Sequence, residues 1–186
     1  MGEDKAGLML AGKPLLRHVA ERLAPQVTGL SVNTASGFPP FHFPLIPDSI
    51  AGQPGPLAGI LAGLEAGQVA GSHLLTAPVD SPFLPVDLAL RLGDALHGGE
   101  DIAVAASDGR DHPVFGLWPL ALAQDLRDFV LNDEKRSIRG FLNRHRVRRV
   151  EFPLFATAAG PLDPFFNINR PEDLRRAETY LEHLTP

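Results

Sequence analysis

The sequence contains no cysteine, which excludes disulfides, zinc–cysteine sites and thiol catalysis together. That absence carries no information about compartment. Positive charge is also in short supply: 17 Lys and Arg stand against 22 Asp and Glu, a net charge of −5. An acidic balance argues against a nucleic-acid partner. One basic run, Arg144, Arg146, Arg148 and Arg149 with His145, reads as a solvated helix end and edge strand, with anion attraction as the alternative. No apolar stretch reaches the roughly 18 residues of a membrane span, and there is no basic-then-apolar leader with a small-residue cleavage site. The expectation is a cytoplasmic protein with no membrane partner. There is no serine-elbow motif, no paired-histidine metal motif and no Walker A sequence, so hydrolase and P-loop readings lose their usual support.

What is present is an ordinary globular composition, 44% apolar and 21% charged over 186 residues, sized for one domain spanning 1–186. Neither an internal repeat nor a linker is visible. The chain is organised around His73 to Pro85, HLLTAPVDSPFLP. Leu74, Leu75 and Ala77 form a short apolar run suited to a buried strand, which ends where Pro78 and Pro82 bracket Asp80. In open α/β sheets ligands collect at the carboxyl ends of strands, so a carboxylate there is placed to hold a cation beside a ligand phosphate. A plain turn-forming Asp is the competing reading.

Around this stretch, strand and helix patterns alternate. Pro14 suits a first helical turn, with Leu15, Val19 and Leu23 on one face and Pro25 as the stop. Thr28 to Asn33 reads as a strand that leaves Asn33 at its carboxyl end, and Phe43 to Ile46 as a brief strand with Asp48 just beyond. From Pro56 a helix runs through LAGILAGLEAG. Glycine inside a helix costs about 1 kcal/mol against alanine, so Gly59 and Gly63 imply a close approach to the backbone, by the sheet or by a ligand. Val86 to Leu96 reads as a helix closed by Gly98 and Gly99. Ile102 to Ala106 and HPVFGLW read as an antiparallel pair joined by Ser-Asp-Gly-Arg. Two further helices follow, around Leu122 to Val130 and over SIRGFLNRH with Ser137 as cap; Val147 to Phe152 is an edge strand, and a last helix carries Leu174, Ala177, Leu181 and Leu184 inward. The order predicts an α/β fold, a Rossmann-like three-layer α/β/α domain with a mainly parallel sheet and a late antiparallel hairpin.

Lys5, Asn33, Asp48 and Asp80 all fall on loops that such a sheet brings to one side. A carboxylate for Mg²⁺, a lysine as a point charge for phosphate, and Asn or Asp acceptors for a base and ribose are the parts a nucleotide site needs. Each also has a bland reading: a surface lysine, a turn-forming Asn, an Asx-turn Asp before Ser49. Asn167 and Asn169 flank Ile168, so in an extended segment both point the same way. Asn169, ahead of Pro171 and Glu172, also has the position of a helix N-cap. His112 before Pro113 is read as a packed or hydrogen-bonded histidine rather than a base.

Taken together, MGEDKAGL with GKPLLRHV, the SVN strand end, PDSIAGQPGPLAG, APVDSPFLP, GRDHPVFGL and FFNINRPEDL resemble, in that order and with similar gaps, the molybdenum cofactor guanylyltransferases. The resemblance covers nearly the whole chain. It implies a nucleotidyltransferase fold and transfer of GMP from GTP to molybdopterin cofactor, with pyrophosphate released and Mg²⁺ required. By the same resemblance Lys5 would contact phosphate, Asp80 would bind the metal, and Asn33, Asp48, Gly55 and Gly59 would complete the nucleotide site. Asn167 and Asn169 match the family's pair on the pterin side. Phosphoryl-type transfer needs mainly alignment and charge neutralisation, which agrees with these residue types. The expected partners are GTP and molybdopterin, for a monomer in transient contact with cofactor delivery or acceptor proteins.

One departure stands out. Members of this family open with a strand and a glycine-rich loop ending in Arg-Met-Gly, and this sequence starts at the methionine of that triplet. Backbone N–H groups of such a loop cradle a triphosphate. The expectation is therefore a fold lacking its first strand and loop, with a misplaced start codon as the simplest cause. The alternatives are a related transferase using CTP or another acceptor, and a non-catalytic fragment that binds nucleotide or pterin.

Overall fold

The computed structural model of the chain describes residues 7–33, 43–50, 55–67, 71–99, 101–133, 135 and 137–183. Lys5 lies outside them. The first elements are a small antiparallel pair, β1 (Met9–Leu10) with β2 (Lys13–Pro14), and helix α1 (Leu15–Leu23). Pro14 sits at the α1 N-cap as its fixed φ predicts, and the helix passes into a tight 3₁₀ turn at Ala24–Gln26. Two short strands, β3 (Val32–Asn33) and β4 (Leu45–Ile46), pair in parallel. Both are shorter than the sequence suggests. Only two residue pairs come into register here, so Thr28 to Ser31 and Phe43 to Pro44 stay outside the ladder.

Helix α2 (Pro56–Ala66) leads to β5 (His73–Thr76), and α3 (Leu88–Asp94) to the hairpin of β6 (Ile102–Ser107) and β7 (Arg110–Pro119). Asp108 and Gly109 turn this hairpin with φ of 47° and 75°, the left-handed pair that a tight two-residue connection requires. After α4 (Ala123–Asn132) and α5 (Ile138–Leu142) come β8 (Val147–Glu151), the antiparallel pair β9 (Phe155–Thr157) and β10 (Gly160–Leu162), and α6 (Pro171–His183). Ser137 caps α5 as expected, its Oγ accepting from Gly140 N at 3.0 Å. Helix α3 begins at Leu88 rather than Val86, because Val86 and Asp87 are exposed turn residues, and it stops at Asp94, ahead of the Gly98–Gly99 pair.

The main sheet has the order β5-β7-β6-β8. β7 pairs antiparallel with both β5 and β6, while β6 and β8 pair in parallel. Strands β5, β6 and β8 therefore run one way, and the late hairpin inserts β7 between them in reverse. The sheet is mainly parallel in direction although its ladders are mixed.

Strand β6 is buried along its whole length and alternates faces as strand geometry demands. Ile102 and Val104 pack with α2, α4 and α5, through Leu61, Leu126 and Phe141. Ala103 and Ala105 pack on the other face with Val19 of α1 and with Leu88 and Leu92 of α3. Two helical layers thus enclose the sheet. A third cluster ties α6 through Ala177 and Tyr180 to Leu10, Leu15 and Phe83. Gly63 explains itself in this packing. A Cβ there would stand 2.8 Å from the Leu74 side chain of β5, so glycine lets the helix pack closely on the sheet without displacing Leu74.

Candidate functional site

Strand β5 ends at Thr76, and Ala77 to Val79 carry the chain to Asp80, which is only 9% exposed. The backbone holds it from the far end of the chain: Ile168 N donates to Asp80 O at 2.9 Å. Ser81 Oγ donates to Asn167 Oδ1 in the same place, which leaves the Asn167 amide nitrogen for a ligand acceptor. A segment 86 positions away in sequence is thereby fastened beside the strand end.

A cavity of about 520 Å³ opens here, lined by Asp80 and Asn167, by Asn33 at the end of β3, by Gly55 and Gly59 at the start of α2, and by His112. Asp48 reaches it through Asn33, whose Nδ2 donates to Asp48 Oδ1 at 2.9 Å and to Ile46 O at 3.1 Å. The fixed Asn33 explains Gly59: a Cβ at that position would stand 2.7 Å from Asn33 Oδ1. Gly55 adopts φ +134° at the α2 N-cap, a conformation that side chains strain to reach. Asn33, Asp48, Gly55, Gly59, Asp80 and Asn167 are therefore gathered on one rim. Asn169 is exposed and does not line the cavity. The start of α6 is capped by Asp173, whose Oδ2 accepts from the backbone N–H of Asn169 and Arg170 at 3.0 and 2.9 Å.

Deeper in, the cavity is apolar, walled by α1 through Leu16, Val19 and Leu23, by α2 through Ile60, and by Leu74 and Leu75 of β5. It lies between β3 and β5. Among the described residues no strand pairs with the edge of either that faces it.

One cluster escapes sequence reasoning. Ser107 Oγ donates to Asp163 Oδ1 at 2.8 Å and contacts His112 Nε2 at 2.8 Å. The trio has the composition of a hydrolytic triad without its geometry. Both Ser107 and the Asp163 carboxylate, at 3.8 Å, address the same imidazole nitrogen, whereas a triad needs the carboxylate on the opposite one. Ser107 is also fully buried. Burial pushes the His112 imidazole below its ordinary value of 6.5, against the opposing pull of Asp163. Only the Ser-Asp-Gly-Arg turn hinted at this cluster, by folding the chain back so that His112 pairs with Ala105, two positions along β6 from Ser107.

Residues 1–150 match the model of the MobA-like NTP transferase domain. The chain is 52% identical over 190 residues to the molybdenum cofactor guanylyltransferase of Rhizobium meliloti (strain 1021), with 99% of this chain and 87% of that protein covered. The chain belongs to the molybdenum cofactor guanylyltransferase family. It is a nucleotidyltransferase of that family. The solved structure of molybdopterin-guanine dinucleotide biosynthesis protein A from Archaeoglobus fulgidus superposes with a TM-score of 0.72 at 24% identity, covering 97% of this chain and 92% of the other. A 2-C-methyl-D-erythritol 4-phosphate cytidylyltransferase from Thermus thermophilus follows at TM-score 0.66 and 20% identity, covering 97% and 95%. Both likenesses concern the fold. No helix among the described residues is long and apolar enough to cross a membrane.

The rim also answers whether a metal fits this guanylyltransferase-family chain. Among the described residues no three His, Asp or Glu side chains gather as a ready-made cage. Mg²⁺ needs none, since it binds through one or two carboxylates together with substrate phosphates and water. The buried Asp80 carboxylate at the cavity wall offers the hard oxygen donors such an ion takes.

Proposed function

We propose that this chain transfers GMP from GTP to molybdopterin cofactor and releases pyrophosphate, with Mg²⁺ held by Asp80. The observation that carries this reading is the cavity shared by Asp80, Asn33, Gly55, Gly59 and Asn167, residues from four separate parts of the chain. Asn33 and Asp48, bonded to each other, form a polar edge suited to a base and ribose. Gly55 leaves open space at the start of α2 where a planar base can approach the backbone, and Gly59 makes room for the Asn33 amide at the same edge. Asn167 and Asn169 are assigned to the pterin side, and Lys5 to phosphate. An ion bound at Asp80 would supply charge neutralisation to the triphosphate. What the protein itself contributes is alignment: two substrates held end to end at the carboxyl ends of β3 and β5, with no covalent nucleophile required.

Pyrophosphate release with GTP, CTP or ATP, molybdopterin being present, tests this reading. GTP is expected to support turnover and the others not. Preference for CTP would reassign the base, as the shared fold of a cytidylyltransferase permits. Binding of GTP without pyrophosphate would make the chain a nucleotide-binding module instead.

A further inference from the structure

The ladder between β6 and β7 breaks beside the cavity. Val104 pairs with Gly116, but the next residue, Ala105, pairs with His112, so Pro113, Val114 and Phe115 are extra on β7. Bulges of this kind re-aim side chains next to sites. This one is anchored: Thr76 Oγ1 donates to Val114 O at 2.7 Å and accepts from Trp118 Nε1 at 2.9 Å. His112, at the foot of the bulge, lies with its ring centroid 4.8 Å from that of Phe165 and lines the cavity.

The hydrogen bonds fix the tautomer of this histidine. The Asp163 Oδ1 atom accepts from both Ser107 Oγ and Phe165 N, so the single hydroxyl proton of Ser107 is spent on it. Ser107 can then only accept from His112, which places the ring proton on Nε2. Nδ1 is left as a bare acceptor, and no protein partner for it is found among the described residues.

We propose that His112 is a positioning residue for the acceptor substrate: Nδ1 receives an N–H donor from the edge of a pterin-like heterocycle in the cavity that also holds the Asn167 amide. This rests on the reading of the cavity given under Proposed function. A fixed acceptor on β7 and a donor amide on the segment before α6 suit a ring that offers N–H and C=O groups on one edge. Protonating the imidazole would turn the acceptor into a donor, so the burial that keeps it neutral serves the same end.

The probe is 6-hydroxymethylpterin, followed by its fluorescence, with GTP binding measured in parallel on wild type, H112Q, H112N and S107A. Glutamine preserves a group at Nε2 and removes the acceptor, whereas asparagine keeps a polar atom where Nδ1 stands. Losing one such hydrogen bond is expected to weaken pterin binding about 10-fold in H112Q, with H112N within about 3-fold of wild type and GTP affinity unchanged in both. S107A, which frees the tautomer, should fall between them. Thermal melts establish that each variant is folded. Absence of pterin binding in wild type, equal losses in H112Q and H112N, or a loss confined to GTP would each overturn the assignment. Failure of the reaction assignment is separate: it would show as no pyrophosphate from GTP while pterin binding still depended on His112.

Discussion

At the scale of single residues, the cavity is defined by which side chains have a fixed neighbour. Asp80→Ala is expected to abolish pyrophosphate release while shifting the melting temperature little, since its carboxylate borders a cavity rather than filling the core. Full turnover in that variant would remove Asp80 from the metal site. Gly59→Ala should act through Asn33. The new methyl group would meet Oδ1 at 2.7 Å and push the amide off Asp48, raising the KM for GTP about 10-fold, as expected for loss of one hydrogen bond to a charged group. An unchanged KM would show that Asn33 does not touch the nucleotide. His112 adds a pH dependence. Its pKa in the fold lies below 6.5 because burial favours the neutral ring. The unfolded chain therefore takes up the proton first as pH falls. The contribution of His112 is complete above pH 6.5 and declines as pH falls through its lowered pKa. H112N should flatten that part of a stability–pH curve, and an unaltered curve would deny the coupling. The other titratable groups acting on this ring, Asp163, Asp111, Arg110 and Glu151, remain in that variant.

Among the elements, α5 is the clearest case of a helix held by its end. It has five residues, too few to be stable alone, and its N-terminus is closed by the Ser137 hydroxyl on Gly140 N. Ser137→Ala should cost about 1 kcal/mol in a denaturant titration. No change would mean that Phe141, fully buried against Phe129, holds the helix unaided. This cap was legible from Ser137 at the head of an apolar segment. The cap of α6 was not: Asn169 and Glu172 had the right spacing, yet Asp173 supplies the acceptor, because Pro171 opens the helix and puts Asp173 at its third position. Spacing alone cannot distinguish a helix that starts one residue later.

Over the whole molecule, Asp101 ties the start of β6 to the neighbouring strand β8 of the main sheet. It is buried below β6 and takes Arg148 Nε at 2.8 Å and Arg146 at 3.7 Å from the start of β8. The Arg148 hydrogen bond holds its carboxyl below the usual value of 3.8. A depressed carboxylate stabilises the fold above the unfolded value and loses that contribution as pH falls through the folded one. Asp101→Asn should therefore lower the melting temperature at neutral pH and shrink the difference from wild type in acid below about pH 3.8. A constant difference across that range would place the effect in packing instead. The same contacts account for part of the basic run 144–149: Arg148 and Arg146 serve Asp101, Arg144 and His145 serve Asp125, and Arg149 serves Asp111 and Glu151.

Local chemistry determined the α/β alternation, the hairpin turn at Asp108–Gly109 and the position of Asp80 past a strand end, because proline, glycine and apolar spacing act within a few residues of where they stand. Only the tertiary structure decided that Ser81 would bind Asn167, that Asn33 would press on Gly59, and that a bulge would turn His112 toward the cavity. Those contacts join residues far apart in the chain. Their geometry depends on how the sheet and its two helical layers close over one another, which no local pattern records.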